Sequence, residues 1–144
     1  MARTTIDIAS IIYRHLKLSV LMTDSGRPTG DLYLYQRPLN SDKEDVVVNT
    51  LASVRGEVFQ TSIININIYV PNLSVKDDQG IKDRTQPDLA RLSHLATLAE
   101  ESLSDVEHYA GEYYFDIEQD LSPEPDGNDQ HYIQFRIEFR ALNN

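Results

Sequence analysis

Asp116 and Glu118 stand two residues apart in the alternating stretch GEYYFDIEQD. On a strand, such a pair projects from one face at a spacing of roughly 6–7 Å. That spacing suits an acid pair flanking a glycosidic or similar bond, so a hydrolase using Asp116 and Glu118 is one reading. Any solvated strand face produces the same pattern. The following turn, Ser122 to Asp129, has the acids and the glycine of a calcium loop. With Gly127 at loop position six, position twelve is Ile133, where a bidentate Glu is needed. The four histidines are His15, His94, His108 and His131. His15 falls on an apolar helical stripe, as a satisfied core histidine does. His94 and His108, if on one helix, lie about 21 Å apart along its axis. No HExxH, GxSxG, P-loop or GxGxxG pattern occurs. With no cysteine in the chain, thiolate ligands, disulfides and a Cys nucleophile are excluded. The sequence implies no catalytic residue set, no cofactor and no metal.

Charge is the stronger signal. From Leu92 to Phe135 there are eleven acids and no Lys or Arg, against a formal net charge of −10 for all 144 residues. The rest of the chain is close to neutral. A pI near 4.7 argues against electrostatic binding to nucleic acid or anionic lipid, which needs basic patches. No apolar run approaches the ~20 residues that span a bilayer. The start, MARTTIDIAS, lacks the basic and apolar regions of a signal peptide. A cytoplasmic location is the plain expectation.

These residues need elements to hold them. Ile8, Ile11, Ile12, His15 and Leu16 recur at helical spacing behind a Thr4–Thr5 cap, which predicts a helix over 5–18. Leu32 to Gln36 and Val46 to Leu51 read as short strands, separated by a polar turn over Asn40 to Asp45. Val58 to Val70 alternates strictly, with Ile64, Ile66, Ile68 and Val70 on one face and Asn65, Asn67 and Tyr69 on the other. After a polar connection, Leu89, Leu92, Ala96, Ala99, Leu103 and Val106 predict a second helix reaching His108 or Ala110, with Gly111 just past its end. Two alternating strands, 112–120 and 131–141, close the chain around a loop of roughly ten residues. The order α-β-β-β-α-β-β predicts one domain over 1–144. Its class is α+β: a mainly antiparallel sheet of about five strands with two helices on one face.

The other face would carry Asn65, Asn67 and Tyr69, a candidate oligomer interface, with Asp116, Glu118, Gln134, Arg136, Glu138 and Arg140. The acids free to meet solvent are Glu112, Asp116, Glu118 and Asp120 on one strand, with Glu124, Asp126 and Asp129 on the turn after it. These seven are the candidate charged surface.

The helix-first order, the tyrosine-bearing LYLYQRP, the strand TSIININIYVPN, the helix DLARLSHLATLAEESL and the closing hairpin GEYYFDIEQD…HYIQFRIEFRAL resemble the tail-terminator (tail-completion) proteins and small head–tail connectors of bacteriophages and prophages. The resemblance lies in element order and pattern over nearly the whole chain. It implies a non-enzymatic virion protein, assembled in the bacterial host cytoplasm. Its subunits would form a homo-oligomeric ring, commonly a hexamer, that contacts tail-tube and connector proteins. DNA would pass without specific binding, and the seven acids would repel its phosphates. The loops 40–45 and 74–84 would then touch neighbouring proteins. A rival reading is a small non-viral α+β adaptor that binds a protein partner.

Overall fold

The computed structural model describes residues 2–142. Helix α1 (Thr5–Lys17) begins at a capping box: Thr4 Oγ1 accepts from the Asp7 amide, and the Asp7 carboxylate accepts from the Thr4 amide. A one-turn helix α2 (Val20–Thr23) follows. Strands β1 (Leu32–Leu34), β2 (Val46–Arg55) and β3 (Phe59–Pro71) come next. Then comes an exposed two-residue pair, β4 (Val75–Lys76) and β5 (Lys82–Asp83). Helix α3 (Leu89–Leu103), capped by Asp88, leads through β6 (Val106–Glu107) to β7 (Tyr113–Pro125) and β8 (Gln130–Leu142).

The α+β class holds, with a main sheet of six strands rather than five, in the order β1-β2-β3-β8-β7-β6. Every pairing is antiparallel except β1 with β2. A parallel pair needs a long connection; residues 35–45 supply it, starting at Tyr35, whose φ is 63°.

One face of the sheet is the core. Val46 and Val48, Ile64 to Val70 at alternate positions, Ile133 to Ala141 at alternate positions, and Phe115 are buried there. Ile8, Ile12 and Leu16 of α1, and Leu92, Leu95 and Leu103 of α3, close over it. Ser102 ties the helices together: its Oγ donates to the Leu98 carbonyl and accepts from the Leu21 amide. His15 is the satisfied core histidine its stripe implied. Its Nε2–H donates to the Ser102 carbonyl at 2.6 Å, and its ring meets Phe115 edge-on.

Two predicted boundaries move. The second helix ends at Leu103, not at His108 or Ala110. Ser104 Oγ turns back onto the Glu100 carbonyl, and Asp105 takes a φ of 50°. Its amide leaves the helix for Asp116 Oδ1 at 2.9 Å. Val106 therefore faces the core from a strand, paired with Phe115. His108 is not on the helix with His94, and Gly111 (φ 72°) closes the small turn after β6 instead of the helix. The closing hairpin loop has four residues, Asp126 to Asp129, not ten. Its bend is made by Gly127 (φ 71°) and Asp129 (φ 55°), and the Asp126 amide bonds the Gln130 carbonyl.

Candidate functional site

Strand β7 carries most of the candidate acids, and its place in the sheet decides what they can do. On one side β8 pairs with it over most of its length. On the other, β6 covers only Tyr114 and Phe115. From Asp116 to Pro125, no described strand pairs with that second side. β7 is an open edge, and it has the features that keep edges from pairing: acids, two prolines and two irregularities. The register with β8 shifts between Ile117 and Gln119, and again between Leu121 and Glu124.

Those shifts rearrange the candidate surface. Asp116 lies on the outer face opposite Glu138. Glu118 sits on the first bulge. Strict alternation would have aimed Asp120 outward with Asp116, but past that bulge Asp120 stands opposite Phe135, level with the helix side. Glu124 returns to the outer face opposite Tyr132. Glu112 precedes the strand and lies 3.6 Å from Arg3. Asp126 lies 3.7 Å from Arg37, and Asp129 occupies the turn, where its carbonyl accepts from the Asn72 amide. The seven acids thus share one flank of the molecule, not one face.

The hydrolase pair is altered by the same bulge. Asp116 and Glu118 line a shallow depression with Tyr114, Glu138 and Arg140. The Asp116 carboxylate already accepts from the amides of Asp105 and Ile117 and from the Tyr114 hydroxyl. With three donors already seated on it, the carboxylate has little left to offer a substrate. Tyr114 is pushed up to about 12 by its bond to Asp105, by desolvation and by the nearby negative charges. Residues 122–125 are strand, so the calcium-loop geometry does not form. Among the described residues no group of three or more His, Asp or Glu side chains could hold a metal ion.

Asn65, Asn67 and Tyr69 lie on the outer face, but largely spoken for within the chain. Arg136 donates to Asn65, itself buried, and Gln134 donates to Asn67 at 2.8 Å. The Arg37 guanidinium stacks 3.9 Å over the Tyr69 ring, with Tyr132 beside it.

Arg37 introduces a network that runs through the polar turn Asn40 to Asp45. The buried Asp45 accepts from Arg37, from Ser41 Oγ and from the Asp31 amide. Arg37 also donates to Gln130, whose amide nitrogen donates to the Ser41 carbonyl. The adjacent Glu44, also buried, takes a two-pronged contact from Arg91 at 2.7 and 2.8 Å and accepts from the Thr29 amide. Glu44 thus fastens α3, and Asp45 fastens the outer face. Glu44 and Asp45 anchor the end of the loop 40–45 in the fold, while Asn40, Asp42 and Lys43 stay exposed. The only sequence signal was two adjacent acids directly before a β-branched run.

No protein-family model matches the chain, and no curated protein matches it.

Proposed function

We propose that the protein is a non-enzymatic virion subunit, a tail terminator or head–tail joining component, that assembles into a homo-oligomeric ring. The observation that carries this reading is the charge contrast between the two flanks of the sheet. β7 and the turn after it hold Asp116, Glu118, Asp120, Glu124, Asp126 and Asp129 with no base. At the opposite flank, β2 has no acid at all. A subunit that offers a predominantly acidic flank to a passage repels phosphate along it, by the Coulomb argument that makes basic patches attract it. The commitment of Asp116 to backbone donors supports a surface role over a catalytic one.

Electron microscopy of the purified protein, with a gold label on an introduced cysteine at Asp129, tests the reading. The expected image is a ring with label at the opening. Label on the outer rim would remove the passage role. Absence of the protein from purified tailed particles of the producing cell would remove the virion role and favour the adaptor.

A further inference from the structure

The hairpin that joins β2 and β3 carries apolar side chains into solvent. Leu51, Val54, Val58 and Phe59 are 54, 70, 59 and 54% exposed. They surround the tip Arg55–Gly56–Glu57, and none is needed by the core. An exposed cluster of this kind marks an interaction surface.

A second feature is also unexplained within one chain. Where β7 bulges at Ser122 and Pro123, the seam between α3 and the sheet is left uncovered. The result is a groove of about 390 Å³ lined chiefly by Leu89, Leu92, Ala96, Leu121, Pro123 and Phe135. Leu89 is itself 62% exposed. The hairpin cannot fill its own groove. Phe59 pairs with Leu142 at one end of β8, whereas the groove lies near Phe135 and Ile133, opposite Ile66 and Ile68. Seven to nine residues of strand separate them, about 24–31 Å.

We infer that the β2–β3 hairpin of one copy inserts into the α3–β7 groove of a second copy. Charge selects this pairing over the symmetric one. Two β7 flanks brought together would oppose acid to acid. The outer edge of β2 from Asn49 to Arg55 is equally without a described strand partner and holds no acid; with Glu57 the hairpin tip is near neutral, and it offers Arg55 to Asp120 of the groove. The contact is heterologous, tip to groove, so it repeats from copy to copy and closes if the rotation allows. The inference deepens the assembly reading above and rests on it for closed symmetry.

The absence of native cysteine gives a clean test. Val58→Cys and Ser93→Cys change exposed positions at the tip and the groove rim. Mixed and oxidised, the two proteins should form a 58–93 disulfide dimer about tenfold or more above either alone, because docking raises the local thiol concentration. Phe59→Ser should weaken self-association about tenfold with the fold retained, the loss expected of a buried aromatic anchor. A ring without the 58–93 link would overturn the inference and leave the ring reading standing. The link in an open filament would support the inference and overturn the ring. Neither ring nor link would overturn both.

Discussion

Glu44 and Asp45 are neighbours in the chain and face opposite tasks. Glu44 is buried against Arg91, whose guanidinium its hydrogen bond holds above the ordinary arginine value. Removing the arginine leaves a buried carboxylate with a lost partner. Arg91→Leu should cost about 2–3 kcal/mol in urea unfolding, the lower end for buried pairs because Arg91 is partly exposed. The double variant with Glu44→Gln should recover part of that loss. Gly30 packs directly on this pair: a Cβ there would sit 2.1 Å from Asp45 Oδ1 and 2.6 Å from the Glu44 carbonyl oxygen. Gly30→Ala should therefore lower stability by about 1–3 kcal/mol, the usual cost of forcing a backbone shift, read from thermal melting. Tyr114 offers a pH handle. Its folded value is raised, so its bonds to Asp105 and Asp116 contribute below pH 10 and are lost as pH rises through about 12. The difference titration against Tyr114→Phe at 295 nm should show that late step. Asp105→Asn should move it back toward 10.

At the scale of elements, α1 was the most legible. Its stripe and its cap are both local, and Thr4→Ala should cost about 1 kcal/mol in denaturant unfolding by opening the capping box. The end of α3 was illegible for a physical reason. Val106 continues the helical spacing, so periodicity alone carries the helix past Leu103. What stops it is the Asp105 amide bonding Asp116, eleven residues on, a contact absent from any local window. The closing hairpin misled in a related way. Pro123 and Pro125 read as turn residues, yet they lie on a strand whose outer side needs no amide donors. The acid content of the candidate surface was plain from composition. Its faces were not, because the bulge at Glu118 turns Asp120 away from the side that strict alternation assigns it. The Arg37–Asp45 network was also hidden: it joins residues 37 and 130 across the sheet, and nothing near either announces it.

For the whole molecule, ten net negative charges oppose any association of identical copies. The proposed contact joins apolar side chains, with a single Arg55 near Asp120, so screening should help more by reducing subunit repulsion than it harms by weakening that pair. Sedimentation velocity between about 0.01 and 0.15 M salt, where the Debye length falls from ~30 to ~8 Å, should show association strengthening with salt. Neutralising Glu118, Glu124 and Asp129 as Gln, Gln and Asn should flatten that dependence without lowering the melting temperature, since none of the three side chains has a salt bridge to lose among the described residues. Association that weakens with salt would instead require ion pairs at the contact. The basic residues near the other end of the molecule, Arg3 and Arg14 beside Tyr113, would then be the natural seat for an acidic neighbour. The sign of the salt effect therefore discriminates a hydrophobic tip-in-groove contact from an electrostatic one before any high-resolution image of the assembly exists.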